Sequence, residues 1–255
     1  MIEKRFSAAA ETYERHARPQ LSLARSVCDI LPEVYPEQIL ELGSGTGQLT
    51  RLLTDQFPDV LIDAVDISEK MVEHSRDKFK RFEQIKWIQG DAQTYRGSDP
   101  YPLIVSCAAL HWVHDLRQTF DNIFQCLEPG GFFALGMMLR GTLMELHSVR
   151  HEVAPQKTPP SELHSMDEVV HELHFAGFHI LRKKVSEEEV AYDSATDFLK
   201  TIHEQGVTGA KVAAARAPLT RQELNRLIEL YQERYTSLDG VSPTYQTATL
   251  LLTRT

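Results

Sequence analysis

The chain is short of cysteine: Cys28, Cys107 and Cys126 are all it has, and no two of them form a CxxC pair. Three thiols cannot all pair, which excludes a disulfide framework and points to free thiols in a reducing compartment. Long apolar runs are missing too. Nothing approaches the roughly 18 residues of a membrane span. Near the start, Ala8 to Ala10 give way at once to Glu11 and Thr12, where a secretory signal would need an apolar stretch of about 7–15 residues. Repeats and low-complexity tracts are absent, which speaks against a solenoid or a disordered chain. Basic residues are in deficit, 27 Lys and Arg against 36 Asp and Glu for a net charge of −9. Generic nucleic-acid binding needs a basic footprint. A soluble cytoplasmic protein is expected, monomeric, with no nucleic-acid or membrane partner.

What the 255 residues do contain, 42% of them hydrophobic, suffices for one substantial core with an inserted cap. "QILELGSGTGQLTRLL" reads as a strand over Gln38 to Leu42, a glycine turn, and a helix from near Thr46. "VLIDAVD" is a second strand. The helix after it can be capped by Ser68 and carries Met71, Val72 and Phe79 on its apolar face. "IKWIQGD", "PLIVSCAAL" and "GGFFALGMM" give three more strands, with a helix over "DLRQTFDNIFQCL" between the last two. Strands alternating with helices predict an α/β fold, a mostly parallel sheet covered on both faces. After Met138 helices gather, broken by a strand in "HILRKKVSEEEVAY", and "TYQTATLLLT" closes the chain as a strand. One domain, 1–255, is expected: an N-terminal helical segment (1–35), a core (36–138), cap helices with a sixth strand (139–240) and a final strand (241–255).

Gly43, Gly45 and Gly47 end a strand and open a helix. Glycines there allow positive φ and close approach of a ligand, and helix N–H groups face the pocket. The dinucleotide pattern GxGxxG would need its third glycine where Gln48 stands, and a Walker A loop would need Lys before Ser or Thr. Asp66 closes the second strand about 20 residues past the glycines, where a carboxylate can accept both ribose hydroxyls. Its competitor Asp63 sits inside the strand. Asp91 closes the third strand and suits an adenine amine. With Glu41, acidic groups at three consecutive strand ends favour an adenosine ligand carrying positive charge and would repel a pyrophosphate. Among 11 histidines, His147 and His151 are spaced i, i+4, and His111 and His114, or His171 and His174, i, i+3. None comes with Cys or a compact acidic set, and no metal is expected.

"LELGSGTG", "VDIS", "GDA" and "LEPGG" (Leu127 to Gly131) together resemble the ordered motifs of class I S-adenosylmethionine-dependent methyltransferases, over roughly Ile39 to Phe133. The resemblance implies a Rossmann-like fold with an N-terminal helical lid and a helical cap after the fifth strand. It implies S-adenosylmethionine as cofactor, with S-adenosylhomocysteine as product. On matching positions the cofactor contacts fall on Tyr13, Glu41, Gly43, Ser44, Gly45, Gly47, Asp66, Ile67, Met71, Asp91, Ala92, Ser106 and Cys107.

Further segments, "KRFSAAAETYERHARPQ", "SCAALHWVHDL", "GTLMELH", "LTRQELNRLIELY" and a late "TYQ", are similar to the malonyl-acyl-carrier-protein O-methyltransferases of biotin synthesis, from Arg5 to Leu252. That family often has Asn where Cys107 stands and Gln where His111 stands. The implied reaction is methylation of the free carboxylate of a malonyl thioester, with acyl carrier protein as partner. Phe6, Ala9, Ala10 and Tyr13 share one helical face. Tyr13 would close over the cofactor, either through its hydroxyl or as an aromatic anchor. His111 and Trp112 would line the acceptor side, though Trp112 equally suits plain core and His111 a hydrogen-bonded spectator. Arg140 and Arg150 are candidate anion anchors. The basic run of Lys200, Lys211, Arg216 and Arg221 is either a solvated face or, with Lys183 or Lys184, a footing for the acidic carrier. The alternatives are a small-molecule carboxylate or quinone-pathway methyltransferase, and a non-catalytic adenosylmethionine-binding protein.

Overall fold

Strand β1 (Gln38–Leu42) buries Ile39, Leu40 and Leu42, as a central strand covered on both faces must. Around it the computed structural model, which describes residues 17–158, 161, 163–205, 217–238 and 240–255, builds one seven-stranded sheet. Its other strands are β2 (Leu61–Asp66), β3 (Ile85–Gln89), β4 (Tyr101–Cys107), β5 (Leu127–Met138), β6 (His179–Glu189) and, after a short hairpin of β7 (Thr236–Ser237) and β8 (Gly240–Val241), β9 (Thr244–Thr253). The order is β3-β2-β1-β4-β5-β9-β6. The first five strands pair in parallel, and β9 runs antiparallel between β5 and β6.

Apolar helix faces cover both sides. On one, α1 (Arg18–Asp29), α2 (Gln48–Gln56) and α3 (Glu69–Lys78) pack Val27, Leu53 and Val72 against Ile39, Ile62 and Leu103. On the other, α4 (Leu116–Cys126) and α6 (Met166–Phe175) set Phe120, Ile123 and Leu173 against Leu40, Ile104 and Phe133. The cap is a third cluster: α5 (Met144–Val153), α7 (Ala195–Glu204) and α8 (Arg221–Tyr235) gather Val149, Phe198, Ile202 and Tyr231 around Met138 and Tyr245. Because Met138 ends β5, the cap stands at the sheet's carboxyl end.

Two boundaries depart from the sequence reading. Gly43, Gly45 and Gly47 hold φ of 80°, 52° and 81°, outside the right-handed helical region, so the helix starts only at Gln48. Strand β5 begins at Leu127, which pairs with Tyr101, rather than after Pro129. Helix α1 runs on to Asp29 and lies so close to the sheet that a Cβ on Gly136 would meet Val27 at 2.6 Å.

Asp63, the rival carboxylate, is structural. Its Oδ2 accepts from Gln38 Nε2 at 3.0 Å and from the Tyr101 hydroxyl at 2.6 Å. Removing a donor from a buried carboxylate leaves part of its desolvation uncompensated. Tyr101→Phe is therefore expected to cost about 1–3 kcal/mol of stability, read as a lower urea midpoint at unchanged m-value. An unchanged midpoint would refute this role for the pair.

Candidate active site

The strand order reverses between β1 and β4, and in open α/β sheets ligands bind in the crevice outside the carboxyl ends at such a point. The chain leaving β1 is held there by Gly43 and Ser44, whose N–H groups donate to Val65 O at 2.8 and 3.0 Å. A Cβ on Gly43 would stand 2.1 Å from that of Ala109. Glycine is needed because the turn presses on the loop after β4. Asp66 then locks the turn: Oδ2 accepts from Gly45 N and Oδ1 from Ser68 N, each at 2.8 Å. Each oxygen has a second lone pair left to accept with. Burial pushes the Asp66 carboxyl up, and the two backbone donors pull against it.

Glu41 is 1% exposed, and its Oε2 accepts from Thr50 Oγ1 at 2.6 Å. Burial pushes its carboxyl up to about 8, the Thr50 bond opposing the shift and the neighbouring Asp66 adding to it. Asp91 Oδ1 accepts from Gln93 N at 2.9 Å. Gln93 Oε1 in turn accepts from the N–H groups of His114 and Asp115, tying the loop after β3 to the loop after β4.

These elements enclose a cavity of about 380 Å³ whose wall includes Glu41, Gly43, Ser44, Gly45, Asp66, Ile67, Met71, Asp91, Ala92, Cys107 and Trp112. Gly47 is off the wall, its α-carbon facing Phe79 and Trp87. Ser106 is also off it, fully buried with its hydroxyl donating to Leu42 O at 2.7 Å. The sequence reading missed Gln20 and Ala24 of α1, Thr46, Gln48, Gln93 and Val113. Most adjoin a recognised motif, but α1 reaches the wall only through tertiary packing. Buried in this region, Ser44 Oγ and Thr46 Oγ1 have no hydrogen-bond partner. Unmet hydroxyls and three wall carboxylates fit an adenosine ligand with positive charge; a pyrophosphate would meet those carboxylates.

A second, smaller chamber of about 20 Å³ adjoins the first and shares Gln20, Ala108 and Trp112 with it. His111, Met138, Thr142, Leu143, Ile202, Gln205 and Tyr245 complete it. None of the described residues lining this chamber is a carboxylate. The two non-glycine residues of positive φ among those described, Ala108 at 53° and Leu143 at 55°, both lie in its wall. Strain of this kind persists where surrounding structure imposes it, and it clusters at functional sites. His111 is buried beside Trp112, ring centroids 5.0 Å apart.

The described candidate cations are not in the wall of either cavity. Arg140 is committed elsewhere: Nη2 donates to both Glu168 oxygens at 2.7 and 2.6 Å and Nε to Leu163 O, an arrangement that holds the Glu168 carboxyl down at about 2. Arg150 reaches Ala217 O at 2.8 Å, and its buried Nε has no partner. Lys200, 70% exposed, lies 3.8 Å from Glu204. Lys183 and Lys184 are exposed on β6. Tyr13, Lys211 and Arg216 lie outside the described residues.

A family model described as a methyltransferase domain matches residues 39–131. A malonyl-[acyl-carrier protein] O-methyltransferase from Paenibacillus sp. (strain JDR-2) is 29% identical, covering 96% of this chain and 95% of its own. One from Priestia megaterium is also 29% identical, covering 100% of this chain and 97% of its own. Among solved structures, an S-adenosylmethionine-dependent methyltransferase from Thermotoga maritima superposes with a TM-score of 0.59 at 18% identity, covering 100% of both chains.

Proposed function

We propose that this chain, whose fold and motifs are similar to those of S-adenosylmethionine-dependent methyltransferases, methylates the free carboxylate of a malonyl group carried on acyl carrier protein, in the cytoplasm, giving the methyl ester that primes pimeloyl synthesis for biotin. The observation that carries this reading is the separation of charge between the two cavities. Glu41, Asp66 and Asp91 line the larger one, and none of the described residues lining the smaller is a carboxylate. A cation therefore belongs in the first and an anion in the second, and the two meet at Gln20, Ala108 and Trp112. The chamber's size points the same way. One water needs about 10–15 Å³, so about 20 Å³ is nearer the size of a carboxylate than of a quinone ring. The names of the two relatives add the malonyl carrier as the source of that carboxylate.

The chemistry asks little of the protein's acids and bases. A carboxylate is already ionised at neutral pH, so no base need remove a proton. S-adenosylmethionine supplies an activated methyl on its sulfonium. The chain's own residues bind, align and exclude water. Asp66 anchors the ribose, Asp91 the adenine amine, and Glu41 offers negative charge to the methionine end. His111, Trp112 and Ile202 wall the acceptor off from solvent. Alignment of this kind lowers a barrier by about 7–11 kcal/mol, and water exclusion strengthens the attraction between anionic oxygen and sulfonium.

The test is turnover of malonyl-carrier against malonyl-coenzyme A, malonate and trans-aconitate. Malonyl-carrier is expected to have the highest kcat/KM. A free acid or a quinone precursor outpacing it would sink the reading. Helix α7 places Ile202 in the chamber and Lys200 in solvent, so the carrier is expected to dock there. Lys200→Glu should raise KM for malonyl-carrier about tenfold, as a reversed charge facing an acidic partner does, and leave a small malonyl thioester unaffected. Equal effects on both substrates would refute the docking site.

A further inference from the structure

Gln20 sits where the two cavities meet. It lines both of them, together with Ala108 and Trp112. Its Oε1 is buried with no hydrogen-bond partner, whereas nearly all buried side-chain polar atoms in folded proteins have one. Side-chain amide orientation is set by the partners the oxygen and nitrogen find. With none for the oxygen among the described residues, the amide can turn either end toward whatever enters. Its backbone is well fixed: Ala17 and Pro19 before it and Leu23 and Ala24 after it are buried, so α1 holds the amide at the join.

We propose that the side-chain amide of Gln20 holds the acceptor's carboxylate at the join of the two cavities, donating an N–H to the oxygen that does not attack and so aiming the other at the methyl group. For the identity of the acid this rests on the malonyl reading above; the geometry rests on the chamber alone. A neutral amide is the side chain this place requires. Glu here would repel the incoming carboxylate, and Lys would repel the cation next door. Thr142 and Tyr245, which line the same chamber, are engaged: the Thr142 hydroxyl donates to Gln246 O at 2.8 Å, and the Tyr245 and Tyr192 hydroxyls pair at 3.0 Å.

Gln20→Met keeps the length and removes the polar end; Gln20→Glu keeps the shape and adds charge. With malonyl-carrier, Gln20→Met is expected to lower kcat/KM by about 10–100-fold, the loss of one hydrogen bond to a charged group, and Gln20→Glu by more. Calorimetric affinity for S-adenosylhomocysteine should stay within about twofold. Gln20→Asn, which keeps the amide but withdraws it, should fall between wild type and Gln20→Met, and it serves if Gln20→Met fails to fold. Turnover by Gln20→Met within about threefold of wild type would overturn the proposal. So would a parallel loss of S-adenosylhomocysteine binding, which would put Gln20 on the cofactor side. If wild type itself does not methylate malonyl-carrier, the functional reading fails, and binding of malonate to protein loaded with S-adenosylhomocysteine decides the role of Gln20. Malonate binding at least tenfold weaker in the variant upholds it; equal binding, or none in wild type, overturns it.

Discussion

Asp66→Asn is expected to weaken binding of S-adenosylmethionine by several hundredfold, nearly as much as Asp66→Ala. The reason lies in what its two oxygens already do. One accepts from Gly45 N and the other from Ser68 N, so an amide in either orientation turns its NH₂ toward a backbone donor. The turn that shapes the cavity floor would loosen, and the acceptor for the ribose hydroxyls would be lost with it. Each hydrogen bond to a charged group contributes about 1.5–3 kcal/mol; losing two of them comes to a few hundredfold or more in affinity. Asp66→Glu keeps the charge on a longer arm, and it should recover part of the loss only if position matters less than charge. Calorimetric titration with S-adenosylhomocysteine distinguishes these cases. Binding by Asp66→Asn within about fivefold of wild type would remove the carboxylate from the ribose site.

The strands and most helices were readable because burial writes them directly. β1 and β9 run over the predicted residues, Gln38–Leu42 and Thr244–Thr253, and Ser68 caps α3 through its bond from Met71 N. The cavity's carboxylates were readable for a similar reason: strand ends are where the fold delivers ligands. What escaped were residues whose role depends on packing across the chain. Gln20 is an ordinary polar residue on α1 until the helix closes on the sheet beside Gly136. Arg140 looked like an anion anchor because its partner Glu168 is 28 residues away and no local pattern reveals their pairing. Asp63 and Asp66 share a strand, and strand position already favoured Asp66 for the cavity, but the partners that make Asp63 structural, Gln38 and the Tyr101 hydroxyl arriving from β4, show only in the fold.

Glu41 should make cofactor binding proton-linked. Its carboxyl titrates near 4.5 in the unfolded chain and is pushed up to about 8 by burial in the folded one. Between those values the folded protein holds a proton that the unfolded chain has lost. The stability contributed by neutral Glu41 is thus fully present below pH 4.5, and it is lost progressively as pH rises through about 8. Of the groups around this carboxyl, Asp66 adds to the upward push, while Cys28 and Cys107 are held neutral, burial pushing Cys28 up to about 12 and Cys107 well above its ordinary value. A positively charged ligand in the same cavity favours the ionised carboxylate, so binding near pH 7 should expel close to one proton. Below about pH 8 affinity for S-adenosylmethionine should then rise with pH, by up to about tenfold per unit, and level off above it. S-adenosylhomocysteine lacks the sulfonium charge and should release less. Titrations at pH 7 in buffers of different ionisation enthalpy measure the released proton directly. In Glu41→Gln both the release and the pH slope should vanish, with the unliganded protein keeping its stability at pH 9 while cofactor affinity falls by about tenfold or more. Binding heats that did not depend on the buffer in wild type would mean that Glu41 is already ionised before the cofactor arrives. Its low exposure would then be offset by something other than a proton.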